Sequence, residues 1–252
     1  MSQDKVTIED IPIVDLNTYM SAESVDSAEV QAVCKQVSES FHKYGICIIR
    51  DPRVDMQDNS DYIDLMEKYF DNVSKPYYQG ETLKDVKPEY HYLVGATPEK
   101  QEKARKHAKK ISTLTEENKP MSPADPVYDA KWRYYWKIGE RPEEAMDNFP
   151  QVIPAEGIDG WEEKMDKWGY KLHDAVYTVA EMAAIGMGLN KDKFTSCLKG
   201  GAHLLAPTGS DLARNGYGSI FAGFHYDISF LTIHGKSRYP GLFVWLRNNQ
   251  KL

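Results

Sequence analysis

Apolar positions along the chain follow two rhythms. From Asp26 onward Val30, Val33, Cys34, Val37, Phe41 and Tyr44 recur every three or four residues, which predicts a helix lying on a core. Gly45 supplies its stop. Residues 46–49 (Ile-Cys-Ile-Ile) follow at once, too few for a helix and rich in β-branched side chains, so they read as a buried strand closed by Arg50, Asp51 and Pro52. Upstream, Ile11-Pro12-Ile13-Val14-Asp15-Leu16 suits the start or edge of a strand, because Pro12 cannot donate to a ladder. Tyr62, Leu65, Met66, Tyr69 and Phe70 predict a second helix ending before Pro76. Thr97 and Pro98 have the form of an N-cap and first helical residue, opening a third helix over 98–110. The longest periodic stretch, Trp161, Met165, Trp168, Leu172, Val176, Val179 and Met182, predicts the main helix, with breakers at Gly186 and Gly188.

Beyond the Gly200-Gly201 break the texture changes. Residues 202–206, 219–226, 230–234 and 242–246 are apolar runs of strand length separated by Gly, Pro, Ser and Asn clusters. Helices first and strands later give an α+β order rather than βαβ repetition. Three regions follow: 1–115 with a strand and helices, 116–200 with a Pro- and aromatic-rich excursion and the main helix, and 201–252 with strands. Within the excursion Pro120, Pro123, Pro126, Pro142, Pro150 and Pro154 are six of the 13 prolines, so regular elements there must be short.

Composition narrows the function classes. Lys and Arg number 31 against 38 Asp and Glu, a net charge of −7 that opposes any general phosphate-binding surface, so nucleic acid is not an expected partner. No run approaches the roughly 18 apolar residues of a membrane span, and the acidic first ten residues do not form a leader, which predicts a cytoplasmic chain with no membrane partner. Cys34, Cys47 and Cys197 are odd in number, far apart and without CxxC spacing, against a disulfide framework or a thiolate zinc site. The basic run in 98–110 reads as a solvated face, or else as a docking surface for an acidic partner.

Candidate chemistry rests on His225-Tyr226-Asp227. Residues i and i+2 of a strand share a face, so imidazole and carboxylate can address one ion if the strand bends or ends there. With a second histidine they would make the 2-His-1-carboxylate triad that holds non-haem Fe(II) and leaves positions open. The alternative for His225 is a hydrogen-bonded core histidine. His203 and His234 reach the pair only if the fold brings them there. Trp132, Arg133, Tyr134, Tyr135 and Trp136 either pack as a satellite aromatic cluster or line a substrate pocket. Arg133 or Arg141 would suit a substrate carboxylate, the other reading being a surface ion pair.

The chain resembles the isopenicillin N synthase-like group of non-haem Fe(II), mostly 2-oxoglutarate-dependent, dioxygenases. Three features in order carry the likeness: Ile11-Pro12-Ile13-Val14-Asp15-Leu16; Phe41-His42-Lys43-Tyr44-Gly45 running into Ile46-Cys47-Ile48-Ile49; and 224–233, with the His-x-Asp leading into Leu231-Thr232, followed by Pro240-Gly241-Leu242-Phe243-Val244. The resemblance implies an N-terminal helical region packed on a double-stranded β-helix, the cupin-like jelly roll. It further implies Fe(II) on His225 and Asp227, 2-oxoglutarate as co-substrate, and hydroxylation or desaturation of a small organic molecule with O₂. In the family a second ligating histidine and a co-substrate arginine follow well downstream of the His-x-Asp. This sequence stops at Leu252, so the expectation is a C-terminally truncated member with an incomplete jelly roll. Where relatives often place Asn-x-Tyr ahead of Pro, it reads Leu204-Leu205-Ala206-Pro207. The alternative function is a catalytically dead member acting only as an interaction module.

Overall fold

The structure is a computed structural model that describes residues 5–140, 150 and 152–252. Strand β1 (Ile13–Asp15) leads directly into the short helix α1 (Leu16–Met20), whose first turn is capped by the Asp15 carboxylate accepting from Asn17 N. Helix α2 (Ala28–Lys43) begins at Ser27, whose hydroxyl accepts from Val30 N, and stops where Gly45 takes φ +84°. Strand β2 (Ile48–Arg50) then pairs in parallel with β1, Val14 opposite Ile49. Helix α2 follows the sequence pattern closely, while the strand expected to be buried over 46–49 begins at Ile48 and is only half-buried, because it pairs with β1 alone in a two-stranded sheet.

Helix α3 (Met56–Tyr78) opens on a reciprocal capping box between Asp55 and Asp58. It runs past the expected stop at Pro76, because a proline in the last turn forfeits a single bond, the one its N–H would have made to Asn72. Strand β3 (Gly95–Thr97) follows, and here the expected helix over 98–110 is replaced by extended chain. The Thr97 hydroxyl donates to Tyr92 O instead of capping, Lys100 N donates to Asp129 O, Asp129 N to Glu102 O, and Lys103 bridges Tyr128. Pairing with 128–129 overrides the local cap signal, and only α4 (Ala108–Ile111) is helical.

Strand β4 (Trp132–Ile138) is the centre of the larger sheet. Its alternating burial divides the expected aromatic segment in two: Trp132, Tyr134, Trp136 and Ile138 are buried, while Arg133, Tyr135 and Lys137 turn to the other face. The buried set packs against Met66, Tyr69 and Val73 of α3 and against Trp161, Met165 and Trp168 of α5 (Trp161–Gly186). A second core joins Val30, Cys34 and Val37 of α2 to Ala175, Val179 and Met182 of α5, with Val14 and Leu16 beneath. Gly186 sits where the two helices cross, so close to the Cys34 carbonyl that no Cβ fits.

A short helix α6 (Thr195–Leu198) precedes β5 (His203–Leu205), which fulfils the strand expected over 202–206, and β6 (Thr208–Gly209). Both run antiparallel to β4 in one uninterrupted register, Leu205 opposite Trp136 and Thr208 opposite Arg133, with Tyr134 N bonding Pro207 O between them. β3 holds the other edge. The fold is α+β, with helices packed on a four-stranded sheet and a two-stranded one. The strands expected over 219–226, 230–234 and 242–246 are not formed: the segment is irregular, with bends and no ladder, apart from a turn in which Val244 and Leu252 exchange both backbone bonds. A strand needs a neighbour to bond, and among the described residues none lies alongside 226–235. Leu246 of the terminal turn is buried with Ile11 and Tyr44, which returns the chain to its own beginning. No helix among the described residues is long and apolar enough to cross a membrane.

Candidate functional site

His225 and Asp227 lie in this ladder-less segment, each side chain about half exposed, with His225 Nε2 3.4 Å from Asp227 Oδ1. The i, i+2 spacing therefore places imidazole and carboxylate on one side of the chain without a strand being formed. His225 Nδ1 is 2.7 Å from Gly223 O. A carbonyl only accepts, so Nδ1 carries a proton, and Nε2 is the ring nitrogen turned toward the Asp227 oxygen. With Nε2 free of its proton, the two acceptors at that distance would form a slot for a proton or a cation. Imidazole nitrogen and carboxylate oxygen are donors that suit Fe(II), and the other ring N–H on a backbone carbonyl is the usual orientation of a ligating histidine. The core-histidine alternative does not fit a half-exposed ring.

The backbone beneath His225 is held by two side chains. Gly223 N donates to Asp129 Oδ1 at 2.8 Å and Phe224 N to Ser122 Oγ at 2.9 Å. Phe224 is buried and meets Trp245 edge-on with ring centroids 4.8 Å apart, and His107 at 5.7 Å. A Cβ on Gly223 would come within 2.8 Å of Ala104 Cβ, so only glycine allows the chain to pass this close.

Asp129 is the end of a buried ionic network. Its second oxygen pairs with Lys131 Nζ, which also lies 2.7 Å from Glu102 Oε2. Glu102 Oε1 in turn accepts from Arg133 at 3.3 Å and Tyr135 OH at 2.9 Å. Two cations and two carboxylates balance. Burial opposes ionisation of Glu102, yet Lys131, Arg133 and Tyr135 outweigh it and hold the carboxyl below its usual range. The same burial raises Tyr135. Arg133 and Tyr135 thus lie on the face of β4 that connects to the His225 backbone. Trp132, Tyr134 and Trp136 do not: Trp132 Nε1 donates to Tyr78 OH, Trp136 Nε1 to Asp166, and Tyr134 OH to Ile153 O, all on the core side. Their expected place in a pocket wall is corrected to core packing, because a strand sends alternate residues to opposite faces. Arg133 makes a part-buried ion pair, while Arg141 lies outside the described residues.

The other histidines sit elsewhere. His234 is exposed, and His203 faces His173 and Tyr177 in a separate open cleft of about 690 Å³. Desolvation and the neighbouring His173 lower the His203 pKa. Among the described residues no third His, Cys, Asp or Glu joins the His225–Asp227 pair. The basic residues once expected to share a helix face are engaged singly, Lys106 with Asp125 at 3.1 Å and Lys103 over the Tyr128 ring. Sequence reasoning passed over Ser122, Asp129 and Glu102. Asp129, Lys131, Arg133 and Tyr135 alternate with apolar neighbours at period two, and that signal was available; the approach of Ser122 to Phe224, about a hundred residues apart, was not.

No family model and no curated relative matches the chain. Solved structures do. Full-length Neurospora crassa T7H in complex with alpha-KG superposes with a TM-score of 0.54 at 17% identity, over 79% of this chain and 53% of that one. The same protein with alpha-KG and thymine gives 0.54 at 18%, over 84% and 60%. A protein described as of the 2OG-Fe(II) oxygenase family from Caulobacter crescentus gives 0.53 at 14%, over 79% and 55%. At such identities the likeness is one of fold. The chain spans little more than half the length of these structures.

Proposed function

We propose that the chain belongs to a non-haem Fe(II), 2-oxoglutarate-dependent oxidoreductase of hydroxylase or desaturase type acting on a small organic molecule. The observation that carries this is the His225 Nε2–Asp227 Oδ1 slot, with the tautomer set by Gly223 O. Support comes from the fold shared with proteins that bind alpha-KG or are described as 2OG-Fe(II) oxygenases. In this reading the C-terminal segment, β5 and β6 with the ladder-less chain after them, corresponds to the opening part of a jelly roll of the isopenicillin N synthase-like kind.

His225 Nε2 and the Asp227 carboxylate would hold the metal, two of the three protein donors of a facial triad. Fe(II) so bound supplies O₂ activation coupled to decarboxylation of 2-oxoglutarate. The chain's own residues do the rest. Gly223 O keeps the Nδ1 proton away from the slot, Asp227 contributes the negative charge, and the open side of the pair leaves room for small ligands. Arg133 and Tyr135 are the substrate-facing members of the β4 segment, their positions fixed by Glu102.

An anaerobic Co(II) titration followed by electronic absorption tests the site. The expected result is one bound ion per chain, lost in His225→Ala and in Asp227→Ala. Uptake unaffected by either substitution overturns the assignment. The interaction-module alternative predicts no ion bound at this pair and no conversion of 2-oxoglutarate to succinate.

A further inference from the structure

We infer that Ser122 and Asp129 are positioning residues that lock the His225 ring, and the inference rests on the metal reading above only for its purpose. The Gly223–Phe224 peptide presents both its ends to this arrangement. Its N–H donates to Ser122 Oγ at 2.9 Å, and its C=O accepts from His225 Nδ1 at 2.7 Å. A donor bond on one end of an amide polarises the acceptor at the other, so Ser122 strengthens the carbonyl that fixes the imidazole. The preceding peptide is held by Asp129, itself almost fully buried and tied to Lys131. The 223–224 backbone therefore cannot rotate without breaking a bond to a side chain about a hundred residues away, and Gly223 has no Cβ to obstruct the fit. Neither residue reaches the slot; both act through the backbone. An imidazole free in water favours the proton on Nε2, which would close the lone pair required there. The two anchors hold the opposite tautomer.

The test reads the ring directly. Long-range ¹H–¹⁵N correlation spectra of metal-free protein at alkaline pH are expected to show His225 with its proton on Nδ1. Ser122→Ala is expected to shift it toward the Nε2–H form, and Ser122→Thr, which keeps the hydroxyl, to restore the lock. Ser122 is partly exposed, so the alanine variant tests the idea without opening the core. Asp129→Asn, which keeps an acceptor for Gly223 N, is expected to retain the lock. Co(II) affinity should fall about 10- to 100-fold in Ser122→Ala and recover in Ser122→Thr, the usual range for an outer partner of a ligating histidine. An Nε2–H ring in the wild type, or a tautomer indifferent to Ser122→Ala, overturns the inference. A lock that Ser122→Ala releases, in a protein that takes up no Co(II), upholds the positioning role and overturns the metal reading alone.

Discussion

Asp85 shows how a single buried group writes itself into the pH dependence of the whole chain. It is almost fully buried, accepts from the Tyr69 hydroxyl, and bonds β3 through its own carbonyl to Ala96 N. Burial pushes its carboxyl above the ordinary range, more than the Tyr69 hydrogen bond and Lys87 pull it down, and Glu156 adds to the rise. The folded chain therefore keeps the proton to higher pH than the unfolded chain does. In the window from the ordinary carboxylate pKa of about 3.9 up to that raised value the native state binds more protons, so this group's contribution to stability falls as pH rises and is constant above the window. Asp85→Asn keeps an acceptor for Tyr69 and removes the titration. Urea unfolding from pH 4 upward is expected to show the variant at least as stable as wild type at pH 7, with the fall starting near pH 4 diminished. A loss of more than about 1 kcal/mol at pH 7, the worth of an ordinary hydrogen bond, would show instead that the ionised form is favoured.

At the level of elements, legibility divides by where the bonding partners lie. Helices α2 and α5 were readable because their spacing, caps and stops are local: Val30 to Val37 face Ala175 to Met182, and Ser27 and Gly45 mark the ends. The helix expected over 98–110 was misread because backbone bonds to 128–129 outweigh Thr97 and Pro98, and no local pattern announces that pairing. The runs over 219–246 have strand chemistry but no ladder, since a strand is completed by its neighbour. At the candidate site the His225–Asp227 pair was readable from an i, i+2 spacing, while its anchors Ser122 and Asp129 come from the far side of the sequence. The α2–α5 crossing offers a direct check on how tightly these elements are fitted. Gly186 takes an ordinary helical conformation, so alanine there is favoured by local propensity by about 1 kcal/mol. Its Cβ would collide with the Cys34 carbonyl and the Ser38 hydroxyl, and backbone cannot swing aside. Gly186→Ala is therefore expected to destabilise by about 1–3 kcal/mol in chemical denaturation, the cost of overpacking. A stabilised variant would mean that the helices stand further apart.

Across the whole molecule, exposed large apolar side chains are spread along the chain, but six of them fall close together near its C-terminal end. Tyr226, Ile228, Phe230, Tyr239, Leu242 and Phe243 are all exposed within 226–243, Ile228 at 96%. Scattered exposed hydrophobes need no explanation, but a run on irregular chain without ladder bonds is both greasy and open to backbone pairing. Against this stands the net charge of −7, which keeps copies apart at low ionic strength. The balance shifts with salt, because the Debye length shortens from about 30 Å at 0.01 M to about 8 Å at 0.15 M while apolar attraction is unaffected. Sedimentation is expected to show the average mass rising between those two conditions, together with strong binding of an apolar fluorescent dye. The double variant Ile228→Lys and Leu242→Glu leaves the net charge unchanged and touches no buried cluster, so any effect it has belongs to the apolar surface. It should lower dye binding and remove the salt-dependent association without moving the thermal midpoint. Association that persists in the double variant would place the sticky surface elsewhere, and a lowered midpoint would mean that these side chains are packed rather than exposed.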